Sequence, residues 1–402
     1  MSGPGYGAGG PSSEPPPYPP AYPPPYPPQP AAPSAYPAYA PGQAAPPYPP
    51  PAYGQPSYPP APAPPTWPAA ASEARPYPQL LRGYRHRWWR TLVSVAVVLG
   101  ALVGLFMASA VAFVVVALAT GVDLENVVND QSILAQPGFV LLNNLLLAAL
   151  IPIAMLGVWA GHQWRPRWVS SVVGGVRWRW LGECAVISLV LMVVSSVVLY
   201  AIDGWPQGAP EKQAVVLLLI VFLTTPFQAA GEEYFMRGWM TQTVGALFAR
   251  PVVGALVAGL ISSTVFALAH GSQNAWLFAD RFAFGVIASY LTWRTGGLEA
   301  AVAAHAVNNV VVFVPVILTG GLHESLLISE APAGVVVLDV VSLTILAAVL
   351  LWWARRRGVQ RLYRPGPPPS DGVQWQLAVQ GPAQRWEPPG EPPVLVDPDR
   401  LR

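Results

Sequence analysis

Residues 214–230 form a run of seventeen side chains with no ionisable group, and residues 251–269 form another of nineteen. A run of about twenty apolar residues crosses a bilayer as a helix, because inside hydrocarbon each backbone amide must find its partner within its own segment. Similar runs recur along the chain, which is 53% hydrophobic and 10% charged. Together they predict an all-α polytopic membrane protein with about eight transmembrane helices. The expected spans cover 92–118, 138–161, 181–202, 213–250, 251–270, 281–294, 298–318 and 334–353. The expected organisation is a Pro/Tyr-rich disordered tail over 1–80, a membrane domain over 81–357, and a short polar disordered tail over 358–402.

Charge placement orients this domain. Arg82, Arg85, Arg87 and Arg90 precede the first span, Arg165, Arg167, Arg177 and Arg179 lie between the second and third, and Arg355, Arg356 and Arg357 follow the last. Asp123, Glu125, Asp130 and Asp203 fall on the alternate side. The positive-inside rule then puts both termini in the cytosol. A formal charge of +2 gives no ground for a nucleic-acid partner. With one cysteine, Cys184, there is little to build disulfides, a cysteine zinc site or a thiol nucleophile from. Thirty of the 49 prolines lie in residues 1–78, a composition that cannot bury a core. Within it Pro15-Pro16-Pro17-Tyr18 and Pro23-Pro24-Pro25-Tyr26 have the form of ligands for WW-type modules, which would give the tail a partner, but a low-complexity tether is the favoured reading, because a repetitive biased tract produces such matches by chance. Trp164, Trp168, Trp178 and Trp180 alternate with arginines as in an interfacial anchor. Gly100 and Gly104 have the spacing of a close helix contact.

One sextet breaks the apolar pattern. Glu232-Glu233-Tyr234-Phe235-Met236-Arg237 puts three charges at the end of a span, and each charge facing lipid costs roughly 2.5–3.5 kcal/mol. They must face protein or water. On a helix Glu233 and Arg237 are four residues apart and pair, whereas Glu232 points about 100° away and is left free. Pro226 lacks the amide that would reach the Phe222 carbonyl, which predicts a kink opening space beside Glu232. Counted from the turn at Arg250-Pro251, Glu232 and His270 fall at one height, roughly 27–29 Å from the tip. Phe266, one turn before His270, would wall the same pocket. His305 and Asn309 share a face of the seventh span, with Asn308 slightly off it. They match that depth only if the hairpin of spans four and five projects into the cytosol. A lone intramembrane His or Asn serves as readily as an interhelical hydrogen bond. One unpaired carboxylate, two imidazoles and an amide together are the parts for activating water and stabilising an oxyanion.

The same residues carry a resemblance. Glu232-Glu233-Tyr234-Phe235-Met236-Arg237 is similar to a paired-glutamate motif ending in arginine, Phe266-Ala267-Leu268-Ala269-His270 to Phe-x-x-x-His, and His305-Ala306-Val307-Asn308-Asn309 to His-x-x-x-Asn. In this order, over 213–318, they resemble the CAAX prenyl endopeptidase and bacteriocin-processing intramembrane protease (CPBP) family. The resemblance implies that Glu232 activates water assisted by His270, that His305 and Asn309 stabilise the oxyanion, and that Glu233, Arg237 and Phe266 support the site. Zinc held by Glu232, His270 and His305 is the alternative to metal-free water activation, which is preferred because Asn309 suits an oxyanion better than a metal. The expected function is cleavage of a peptide bond in a membrane-anchored protein, at a cavity open to the cytosolic side of what the Arg/Ala/Gly/Pro bias suggests is a bacterial cell membrane. Two other classes stay open: a catalytically silent adaptor or immunity protein using the same pocket, and a transporter with Glu232 as proton carrier.

Overall fold

The computed structural model describes residues 74–83, 86–121 and 131–364. The Pro-Tyr motifs, the acidic groups Asp123, Glu125 and Asp130, and the tail from residue 365 lie outside them. The described chain is all-α, built on eight long helices: α1 Trp88–Thr120, α2 Pro137–His162, α3 Trp178–Asp203, α4 Ala214–Gly245, α5 Pro251–Leu268, α6 Ala275–Thr295, α7 Glu299–Thr319 and α8 Ala333–Arg356. Seven of them are long and apolar enough to cross a membrane; α6, which carries Asp280, Arg281 and Arg294, is not among them. The protein is an integral membrane protein. Its outward apolar surface, with side chains such as Phe106 and Leu118 more than two-thirds exposed, is what a lipid-facing surface requires.

The helices alternate in direction, and their ends are tied into two layers. At one end Leu298 donates its amide to the Ser170 carbonyl (2.9 Å) and Val172 donates to Gly296 (2.8 Å), joining the α2–α3 loop to the α6–α7 turn. Arg177 pairs with Glu299 (Nε–Oε1 2.8 Å) and also donates to the carbonyls of Thr295 and Gln360. The arginines flanking the helices gather at this end. A Cβ at Gly297 would fall 2.6 Å from the Ser171 Cβ and 2.4 Å from both the Arg177 guanidinium and the Glu299 carboxylate, so a side chain there would push on the turn and on the ion pair. At the opposite end Glu211 donates its amide to Ile317 (3.0 Å), and Asn274 donates to Ser329 (2.7 Å) and caps α6 through Leu277.

Residues 75–81 belong to the packed body and not to a free tail, so the expected boundary at residue 80 falls inside folded structure. Arg75–Pro76 pairs antiparallel with Leu362–Tyr363, and Tyr77 and Leu80 are fully buried. The Tyr77 hydroxyl donates to the Val169 carbonyl, Gln79 donates to Phe248 (2.7 Å), and Arg82 donates to Ala246 (2.9 Å). Burial pushes the Tyr77 phenol well above its ordinary pKa. The aromatic loop packs inward in part, with Trp164 and Trp168 edge-on to Tyr363. Gly100 and Gly104 have nothing within 4 Å of a built Cβ, so they make no close helix contact within this chain.

Gly231 is the closest helix approach near the acidic pair. A Cβ there would lie 2.0 Å from the Leu147 carbonyl oxygen, beside the break in α2 at Ala149. Gly231→Val is therefore expected to force α2 and α4 apart and to lower stability by about 1–3 kcal/mol or more, read as a lower melting temperature in detergent, whereas Gly104→Val should leave it unchanged.

Candidate active site

Pro226 lies inside α4 without interrupting it, and Asn144 of α2 donates to Thr224 (2.8 Å) and Thr225 (3.1 Å) just before it. The irregularity comes later. Tyr234–Met240 winds as a π-helix, whose wider turn leaves the Met236 carbonyl to accept from Thr241 (3.1 Å) and Ser262 (2.9 Å). Such turns recur at functional sites, and this one starts one residue after the acidic pair.

The two glutamates part as their helical angles require. Glu233 and Arg237 are fully buried and pair at 3.0 Å. Charges this deep need partners, and the guanidinium also stacks on Phe266, 4.4 Å from the ring centroid, with Phe284 at 5.9 Å. The same Glu233 oxygen that meets Arg237 contacts His305 Nδ1 at 2.9 Å. Glu233 thus sets the imidazole's orientation as well as holding the arginine. His305 Nε2 is then aimed at Glu232 Oε2, 3.4 Å away. Phe284 and Phe266 meet the His305 ring edge-on, 5.0 and 5.8 Å between centroids.

Glu232 keeps a 16% exposed side chain and does not pair with Arg237. Its Oε1 accepts from Gln228 (2.9 Å), and the Gln228 carbonyl oxygen accepts from Asn309 (3.1 Å). One amide therefore links Glu232 on α4 to Asn309 on α7. Gln228 was not singled out from the sequence, though it stands one turn before Glu232 on the same face. Phe284 was missed too, since a lone aromatic in an apolar helix carries no signal.

Glu232, His270, His305, Asn308 and Asn309 line one cavity of about 690 Å³, with Gln228 and Phe266 in its wall. His270 is placed differently from the other three predicted groups. It is exposed just beyond the end of α5, with Nδ1 2.8 Å from the Phe266 carbonyl oxygen, and no direct hydrogen bond or ion pair joins it to Glu232. The proposed zinc set does not fit this arrangement: Glu232, His270 and His305 do not converge, and no group of three or more His, Cys, Asp or Glu among the described residues is placed to hold a metal ion.

The cavity also runs opposite to expectation. From His305 it extends to Ser325, Leu326 and Ile328 in the α7–α8 loop and to Leu134 before α2, all at the end away from the arginines. The α4–α5 tip is held at the arginine end by Gln79 and Arg82. α5 ends toward the cavity's open end, which puts His270 in the cavity wall.

Residues 212–311 match the family model described as type II CAAX prenyl endopeptidase Rce1-like. The chain is 28% identical over 233 residues to the uncharacterized protein YyaK of Bacillus subtilis (strain 168), an alignment covering 55% of this chain and 75% of that one. No solved structure matches.

The buried Glu233–Arg237–His305 cluster gives a stability test. Arg237→Met, which leaves Glu233 without its cation, is expected to cost about 3–5 kcal/mol, and Glu233→Gln in the same background should recover much of it, read by thermal unfolding in detergent. The segment that matches the Rce1-like, type II CAAX prenyl endopeptidase model contains all three motifs and the polar residues at the cavity floor, so the likeness to that family lies where the candidate site is.

Proposed function

We propose that the protein is an intramembrane endopeptidase that hydrolyses a peptide bond in a membrane-anchored polypeptide. The observation that carries this reading is the Glu232 carboxylate, free of Arg237, held between Gln228 and His305 at the floor of a 690 Å³ cavity. A carboxylate so placed acts as general base. It takes a proton from a bound water as the oxygen attacks the scissile carbonyl, and it returns that proton to the leaving amine as the C–N bond breaks. The Asn309 amide donates to the tetrahedral oxyanion; His305, one turn before it on α7, faces the same point with Nε2 and donates there as the imidazolium, its Nδ1–H being spent on Glu233. His270 assists from the cavity wall by positioning water or substrate. Glu233 holds the His305 ring, and Arg237 neutralises Glu233, so neither touches substrate. Water activation is assigned to these side chains without a metal, because the available ligand set is not gathered into a site. The family match supports the same class of reaction.

The decisive comparison is proteomic. Membrane fractions from cells carrying the wild-type protein should contain new peptide termini that are absent with Glu232→Gln, a variant that keeps the shape and removes the base. Termini unchanged by that substitution, with a cellular phenotype that also survives it, would assign the pocket to a non-cleaving adaptor. A purified, active preparation should keep its rate after chelation; loss of activity that zinc restores would contradict metal-free catalysis.

A further inference from the structure

The direction of the cavity bears on where substrate comes from. Helices that start at the arginine end contribute lining residues late in their length: Phe113 of α1, and Phe266 and His270 at the end of α5. Those that finish there contribute early ones, such as Asn144 of α2, Val221 of α4 and Asp339 of α8. Helices of opposite direction thus place the void in one and the same half of the bundle. His305, seventh residue of α7, marks its floor.

Below that floor the bundle is closed. Glu233 and Arg237 are fully buried, and Tyr234 bonds Ser170 at 2.7 Å. The Tyr77 hydroxyl, the Gln79 and Arg82 side chains, and Gln242, which donates to Trp168 at 3.0 Å, bind the 75–82 segment, the α2–α3 loop and the α4–α5 tip into a plug. No lining residue comes from this plug. At the other end the wall reaches Leu326 and Ile328, which are 37% and 49% exposed.

The plugged end carries Arg90, Arg165, Arg167, Arg179, Arg294, Arg355, Arg356 and Arg357 at or beside helix termini. The open end carries Asp203, Glu211, Glu324 and Glu330, with Lys212 and, beside Asp280 near the start of α6, Arg281 as its basic groups, while Glu183 and Glu299 are the acidic partners of arginines at the plugged end. A bias this strong sets orientation, with the arginine end in the cytosol. We infer that the cavity opens to the extracytoplasmic side, and that it receives an extended polypeptide segment from that side of the membrane. The chemistry of the lining fits such a ligand: apolar side chains from Leu134, Phe139, Val312 and Phe313 along the wall, and amide and carboxylate groups at the floor. The nature of the ligand rests on the protease reading; the side of entry does not.

Cysteine accessibility tests the side directly, because the native Cys184 is fully buried. Single cysteines are placed at the mouth (Leu326→Cys, Ile328→Cys), partway down the wall (Val312→Cys) and at the plugged end (Gln360→Cys, which leaves every arginine in place). The full-length protein is then treated in intact cells and in lysed cells with a membrane-impermeant maleimide. The expected result is that the first three label as fully in intact cells as after lysis, while Gln360→Cys labels only after lysis. The reverse pattern overturns the inference, as does a Val312→Cys that stays unlabelled in both conditions while the mouth cysteines react. Labelling does not require cleavage. A reversed pattern accompanied by Glu232-dependent new termini would therefore remove the side of entry and leave the protease reading standing.

Discussion

Burying the Glu233 carboxylate dictates much of what surrounds it. An anion with no solvent exposure needs a cation close by and donors aimed at it, and Arg237 and His305 supply them on a single oxygen at 3.0 and 2.9 Å. The arginine in turn needs the faces of Phe266 and Phe284, which draws α5 and α6 against α4. The imidazole, committed through Nδ1, has its other nitrogen left for the cavity. Four helices are thus tied together around one ion pair, and Glu232, next in sequence and about 100° further round the helix, is left facing the cavity.

This arrangement gives two adjacent carboxylates different surroundings. Glu233 has no exposure and meets Arg237 and His305 through one oxygen, while Glu232 keeps a partly exposed carboxylate that meets Gln228 and His305. The π-helical segment Tyr234–Met240 begins immediately after them. Gly231, immediately before them, lets the α2 backbone approach to a distance that no side chain permits. The motif is compact because each of its positions meets a different neighbour.

Much of this was legible in the sequence, for identifiable reasons. Apolar length marked the helices, so predicted span 92–118 is observed as Trp88–Thr120 and predicted span 298–318 as Glu299–Thr319. The four-residue spacing of Glu233 and Arg237 foretold their pairing because it depends only on helix geometry. What depends on tertiary contact was not legible. His305 binding to Glu233 brings together residues 72 positions apart, and the Gln228 bridge to Asn309 spans 81. The fold of residues 75–81 was hidden by the proline-rich composition around them, since a short strand and a buried tyrosine leave no periodic trace. The cavity's direction was misjudged because depth was counted along single helices, without the plug that closes the arginine end.

The central claim is that an acid freed from its arginine by helical geometry holds a water beside an imidazole. It is tested most directly by a cryo-EM map of the protein in a lipid nanodisc that shows ordered solvent. The account predicts a water within hydrogen-bonding reach of the Glu232 carboxylate and His305 Nε2, with Glu233 still clasped by Arg237. A map with Glu232 turned onto Arg237, or with packed aliphatic groups or lipid between that carboxylate and the imidazole, would contradict it.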